Sequence, residues 1–314
     1  MRRLPSNVPA SRGPSWRRDA ADLHVHTTHS DGACSPCEVV VAAARVGLSA
    51  LAITDHDTVS ALAVARPEAR HWGLELVAGV ELTCEHGGRE LHILGYFIRE
   101  DEPDLAAAMD RLRSGRALRI EAMADRLRDL GLLVDLEAVR RAFPRAVLGR
   151  RHLAEYLART GQVSGVRAAF AEFLGDRGPA TVEKTRLDAL RAIELIGRAG
   201  GVAALAHPPH DLGESAIRAL ADAGMRAIEV DGPGCSRGLG RRLKAIAERL
   251  RLIGVAGSDF HAPDRPGRWV GAITTDRETL ERLRDAAAFA DGQRPPEPGI
   301  DLSSRSHDGS PAGG

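Results

Sequence analysis

The chain has 314 residues, enough for one large domain or two ordinary ones with a sizeable core. Its 43 basic and 43 acidic side chains cancel, which argues against the broad positive field of a protein that grips long nucleic acid, though a local anion site stays open. No apolar run reaches the roughly 18 residues of a membrane helix and no secretory apolar segment opens the sequence, so the expectation is a soluble, cytoplasmic protein with no membrane partner.

Residues 1–18 mix Pro, Ser, Gly and Arg without apolar periodicity and read as a flexible tail. The first β-type run leads into "ADLHVHTTHSDG". In an extended segment positions two apart share a face, so His24 and His26 can grip one cation. Asp31 follows directly, and Gly32 would permit the bend that turns it back. Cys34 and Cys37 form a C-x-x-C with no second pair after it, which reads as two small residues near the first turn of the helix around "PCEVVVAAARVG".

Further strands are expected in "LSALAITDHD", "LELVAGVEL" and "ELHILGYFI", which carry His56, Glu81 and His92. From residue 100 to about 185 long helical patterns replace this rhythm, a mainly helical insertion whose many arginines read as a solvated face with i, i+4 partners. Strands resume in "GVAALAHP", "MRAIEVDG" and "LIGVAGSDFH", bringing His207, Asp259 and His261. Residues 291–314 read as a second tail. Strands alternating with helices imply an α/β fold of βα units around a largely parallel sheet.

The candidate ligands lie at or beside strand C-termini, the end where parallel α/β proteins build their sites. His92 fits less well, standing near the start of its strand. Taken singly, each has a plain alternative: an H-x-H on a surface strand, Asp55 or Asp57 capping a helix, a hydrogen-bonded core histidine, turn chemistry in "AHP" and "SDFH". Taken together, so many ionisable groups would be costly to bury without partners, and a shared metal cluster resolves the conflict.

"DLHVHTTHSDG", "ITDHDT", "GVEL", "ELHILGY", "AHP" and "GSDFH" resemble, in order and character, the motifs of the PHP family, the polymerase and histidinol phosphatase superfamily of metal-dependent phosphoesterases, over roughly residues 20–265. The insertion and the segment "GRRHLAEYL" are similar to the stand-alone subgroup that hydrolyses nucleotide phosphates, with Arg151 where that pattern usually has proline. The resemblance implies a distorted (β/α)7 barrel of TIM-like type with an inserted helical subdomain, and two or three divalent ions. His24, His26, Glu81 and Asp259 would hold one ion, Glu81 with His92 and His207 a second, and Asp31, His56 and His261 a third. Mixed imidazole and carboxylate donors suit Mn, Zn or Fe.

The implied activity is hydrolysis of a phosphomonoester by a metal-bridging hydroxide, on nucleoside 3',5'-bisphosphates, AMP-like nucleotides or the 5' ends of short RNA. Arg150 would make a forked contact to phosphate, and His152 would bind phosphate or protonate the leaving alkoxide. Arg151 and Lys184 are candidates for a second anion contact. Asp22 and Asp57 would orient imidazoles, with helix capping a competing role for Asp57. Histidinol-phosphate hydrolysis is the enzymatic alternative, and a non-catalytic metal-binding or docking module the alternative of another class. No stable protein partner is implied.

Overall fold

A computed structural model describes residues 19–263 and 268–290. The two segments read as tails, and His307 with them, lie outside the described residues. Seven strands form the barrel in the order β8 (Ile253–Ala256), β7 (Ala227–Asp231), β6 (Val202–Leu205), β4 (Arg89–Tyr96), β3 (Glu75–His86), β2 (Ala50–Ile53) and β1 (Ala20–Val25). Beyond the end of β8, the Phe260 carbonyl accepts from the His26 N–H at 2.9 Å and Val25 pairs with Phe260, which nearly closes the ring against β1. The short β9 (Thr275–Asp276) pairs antiparallel with the start of β1, and β5 (Leu187–Asp188) pairs with β3 outside the ring.

The helices α1 (Pro36–Val46) and α2 (Ser60–Trp72) follow β1 and β2. Helix α1 starts where sequence chemistry puts it: Ser35 and Glu38 form a capping box, Pro36 occupies the first turn, and Gly47 closes the helix at φ 87°. Cys34 lies just before the α1 cap and Cys37 in its first turn.

The sheet is less parallel than expected. β3 runs through Gly87 and Gly88, both at positive φ, straight into β4, so β4 is antiparallel to β3 and also to β6. This explains the awkward placing of His92. The start of an antiparallel strand lies at the same end of the barrel as the C-termini of its neighbours, and His92 stands opposite Thr83 on the rim.

Between β4 and β5 the chain forms α3 (Pro103–Asp129), α4 (Leu136–Ala142), α5 (Arg150–Arg159), α6 (Val166–Ala169) and a π-helical turn, Phe170–Leu174. These helices bury their own apolar cluster around Ile120, Met123, Leu127, Leu153 and Leu157. The remaining helices α7 (Ala189–Arg198), α8 (Glu214–Asp222), α9 (Arg237–Leu250) and α10 (Arg277–Ala290) flank the later strands, and Leu280 and Leu283 of α10 pack with Leu23, Val77 and Val255 of the barrel. Among the described residues no helix is long and apolar enough to cross a membrane.

Candidate metal centre and adjoining anion pocket

Six strand ends deliver their polar residues to one rim. His24 is the penultimate residue of β1 and His26 directly follows the strand, and their Nε2 atoms stand 3.1 Å apart, as shared-face spacing predicts. Glu81 lies within β3, which continues past the barrel as a hairpin, and the Asp55–Asp57 loop after β2 pins its backbone: Glu81 N donates to the Asp55 carbonyl and Asp57 N to the Glu81 carbonyl. The Glu81 carboxylate is buried at the centre of the cluster. Its Oε2 lies 3.4 Å from His24 Nε2, 3.2 Å from His26 Nε2 and 3.0 Å from His56 Nδ1. Its Oε1 faces His92 Nδ1 at 2.8 Å and His207 Nε2 at 3.0 Å.

Asp259 Oδ1 approaches His24 Nε2 at 3.6 Å and His26 Nε2 at 3.4 Å, so donor atoms of His24, His26, Glu81 and Asp259 converge. On the other side of His26, Asp31 Oδ1 lies 3.4 Å from His261 Nε2 and 3.9 Å from His56 Nε2. Three sets draw together closely enough to share an ion: His26, Asp31, His56 and His261; His24, His26 and Glu81; His56, Glu81 and His92. All nine residues expected at the site are thus brought to one place. His56 stands between two sets, with one ring nitrogen toward Glu81 and the other toward Asp31.

The donor set passes a test of fit to divalent metal. Glu81 Oε2, His56 Nδ1 and Asp31 Oδ1 are buried atoms that lack a hydrogen-bond partner, an arrangement that protein groups alone leave expensive. Donors bound about 2.1 Å from one ion would stand roughly 3–3.5 Å apart, the spacing seen around Glu81 Oε2. Burial opposes ionisation of Glu81, yet the surrounding imidazoles hold its carboxyl well below the usual range. Burial alone would lower His26, but hydrogen bonds to Asp259 and Glu81 lift it to about 10; His92 rises to about 9 against its burial, through the Glu81 charge. Burial drives His56 down to about 3, leaving it neutral with a lone pair to offer.

Local backbone geometry is costly at the rim. His207 and Asp259 sit at φ 26° and 45°, and Asp57 at 55°, conformations costing side-chain-bearing residues about 1–3 kcal/mol each. Gly32 acts differently from the expected bend: a Cβ there would lie 2.5 Å from the His26 carbonyl, so the requirement is close approach.

The two aspartates expected to orient imidazoles do other work. Asp22 accepts from the backbone N–H groups of Ser258 and Gly271 at 2.9 and 2.8 Å, tying the loop after β8 to β1. Asp57 accepts from Thr83 N and from Arg116 Nη2. Sequence reasoning missed the carboxylates that support the site: Glu229 of β7, whose Oε1 meets His24 Nδ1 at 2.8 Å, and Asp55, which accepts from Thr27 N, Thr27 Oγ1 and Ser30 Oγ and holds the loop leading to Asp31. Asp55 was visible in "TDHD", but Glu229 had no local signal.

Beyond His92 and His207 opens a cavity of about 530 Å³ whose far wall carries Arg119, Arg150, Lys184 and Arg186. The arginines of α3 are not all a solvated face. Arg113, Arg116 and Arg119 recur every three residues and form a stripe toward the barrel: Arg113 donates to the Asp57 carbonyl, Arg116 to Asp57 and Thr83, and Arg119 to the Val182 carbonyl. Burial and the neighbouring charges of Arg150 and Arg116 push Arg119 down to about 10, and burial lowers Lys184. Glu90 is paired with both Lys184 and Arg186.

Arg150 bonds the Leu174 carbonyl at 3.1 Å and the exposed Asp176 at 2.7 Å while lining this cavity. Arg151 pairs with Glu155 along the helix and is not among the cavity-lining residues, which leaves it outside the second anion contact expected of it. His152 is buried, packs edge-on against Phe143, and its Nδ1 accepts the Gly149 N–H at 2.9 Å, closing the N-terminus of α5. That bond places any proton of the neutral ring on Nε2, and burial lowers the pKa.

The family model described as PHP domain matches residues 22–190. The chain is 36% identical over 256 residues to a 3',5'-nucleoside bisphosphate phosphatase of Chromobacterium violaceum, a match covering 80% of this chain and 90% of that one. It is 33% identical over 247 residues to a 5'-3' exoribonuclease of Haemophilus influenzae, covering 77% and 90%. A solved structure from Bifidobacterium adolescentis, described as a metal-dependent phosphoesterase, superposes with a TM-score of 0.80 at 26% identity, over 85% of this chain and 96% of the other.

Proposed function

Because the chain belongs to the PHP domain family and is a metal-dependent phosphoester hydrolase, we propose that it removes phosphate from nucleotides, with nucleoside 3',5'-bisphosphates, AMP-like nucleotides and the 5' ends of short RNA as its substrate class. The observation that carries this reading is adjacency: a buried carboxylate and imidazole cluster opens directly onto a pocket walled by guanidinium and ammonium groups. A nucleotide with two phosphates needs both.

His24, His26, Glu81 and Asp259 would hold one ion, Glu81 with His92 and His207 a second, and Asp31, His56 and His261 a third; Glu81 Oε2 facing His24 and His26 while Oε1 faces His92 and His207 supports the first two positions, with His56 standing between Glu81 and Asp31. Divalent cations held there would supply Lewis acidity, lowering the pKa of a bound water toward about 7 and offsetting charge on the phosphoryl oxygens. Mn, Zn and Fe all suit these donors.

The chain's remaining residues bind and orient. Arg150, Lys184 and Arg186 present N–H donors to a second anion, exchanging Asp176 and Glu90 for substrate oxygens. His152 contributes its Nε2–H as a hydrogen-bond donor to phosphate; its lowered pKa favours that role over protonation of the leaving alkoxide.

A panel of phosphomonoesters tests the reading with protein loaded in turn with each metal. Turnover of adenosine 3',5'-bisphosphate, AMP or 5'-phosphorylated oligoribonucleotides is expected. Efficient hydrolysis of histidinol phosphate with none of nucleotides would overturn the substrate class, and inertness toward every ester would point to a non-catalytic module.

A further inference from the structure

Glu229 stands behind the cluster, 3% exposed, and each of its oxygens has one task. Oε1 meets His24 Nδ1 at 2.8 Å, while Oε2 accepts the backbone N–H of His207 at 2.5 Å. Among the described residues it pairs with no lysine or arginine, so its charge is directed wholly at these two histidines. Accepting from Nδ1–H keeps the His24 proton on that nitrogen and leaves the Nε2 lone pair aimed at the space shared with His26, Glu81 and Asp259.

The second bond acts on backbone. His207 occupies φ 26°, a conformation that persists in a residue with a side chain only when its surroundings dictate it. The Glu229 carboxylate holds the N–H of that residue, and the His207 ring then meets Glu81 Oε1 at 3.0 Å. His24 meets the other oxygen, Oε2, at 3.4 Å. The His24 and His207 rings lie stacked, with centroids 5.6 Å apart and planes 25° from parallel. Glu229 on one side, through the His24 ring and the His207 backbone, and Glu81 on the other, through both rings, therefore clamp the same two residues.

We propose that Glu229 is a positioning residue that sets the spacing of His24 and His207 against the two oxygens of Glu81, so that its loss weakens two cation positions together. This rests on the metal-binding reading above. A residue that acted on His24 alone would leave the Glu81, His92 and His207 set untouched, and a merely structural carboxylate would change neither.

The test is Mn²⁺ titration of the full chain by calorimetry, comparing the native protein with Glu229→Gln. The amide keeps the shape but offers one acceptor oxygen where two donors need one each. A fall of ~10- to 100-fold in affinity is expected at the two tightest positions, with circular dichroism of the metal-free variant unchanged. Unaltered affinities, or loss at one position only, overturn the proposal. Should the variant not fold, zinc-loaded native protein labelled with ¹⁵N-histidine decides: His24 must carry a hydrogen-bonded proton on Nδ1, and its absence there overturns the proposal. Native protein that takes up no Mn²⁺ or Zn²⁺ at all would instead refute the metal-binding reading.

Discussion

Arg116 of the helical insertion and Asp57 of the barrel rim form an ion pair, Nη2 to Oδ2 at 2.5 Å, at a position where 1% of the aspartate and 18% of the arginine side chain remain exposed. The same nitrogen reaches Thr83 Oγ1 at 2.9 Å. One guanidinium thus fastens α3 to β3 and to the loop carrying His56. Replacing it would leave the buried Asp57 carboxylate with hydrogen bonds from Thr83 but without this ion-pair partner. Arg116→Ala should cost about 3 kcal/mol, the low end for breaking a buried pair because part of the guanidinium meets solvent, and a urea melt of the metal-free protein measures it. A loss under half that value would mean water replaces the arginine.

Removal of metal should abolish hydrolysis and lower the melting temperature. An ion that binds only the folded protein adds about 2.7 kcal/mol at a hundredfold excess over its dissociation constant, so chelation followed by Mn²⁺ addition should reverse both effects in parallel. His24→Ala and Asp259→Ala should each reduce activity by more than the ~10- to 100-fold typical of partners that only support a ligand.

The metal-free protein should respond to pH in an unusual direction. Against their burial, His26 is lifted to about 10 by hydrogen bonds to Asp259 and Glu81, and His92 to about 9 by the Glu81 charge, both above their unfolded value near 6.5. Groups raised in the folded state bind protons more tightly there, so they contribute stability that is complete below about pH 6.5 and lost as pH rises through 9 and 10. Thermal melts of chelated protein from pH 7 to 10 should show this decline. Metal uptake at pH 7.5 should release protons, seen as a dependence of calorimetric heat on the ionisation enthalpy of the buffer.

Lys184 lines the pocket wall proposed to receive a second anion. Its removal takes away a charge-assisted contact worth about 1.5–3 kcal/mol, so Lys184→Ala should lower kcat/KM for adenosine 3',5'-bisphosphate by roughly 10- to 150-fold and that for AMP by about threefold or less. Equal losses on both substrates would show that the pocket wall does not read a second phosphate.

Most of the site was legible before folding because its residues are local signals. An H-x-H on a strand, Glu81 after "LVAGV" and Asp259 with His261 after "LIGVAGS" are each weak alone but together point to one rim, although Glu81 lies within β3 and not at its end. His92 needed the direction of β4, which is set by the Gly87–Gly88 turn and is read only once β4 is seen pairing with both β3 and β6. The α3 arginines carried a three-residue stripe, but it was hidden among other arginines of the same helix.

The amino-acid order by itself determined the class of fold, the candidate donors and the end of the barrel where they gather, since these follow from spacing and side-chain chemistry. Only the tertiary structure decided what supports them. Glu229 meets His24 from 205 positions away, Asp22 meets Gly271 from 249, and Arg116 meets Asp57 from 59. Such pairings have no period or motif, because they arise when separate strands close into a ring and low-dielectric burial makes an unpaired polar group costly.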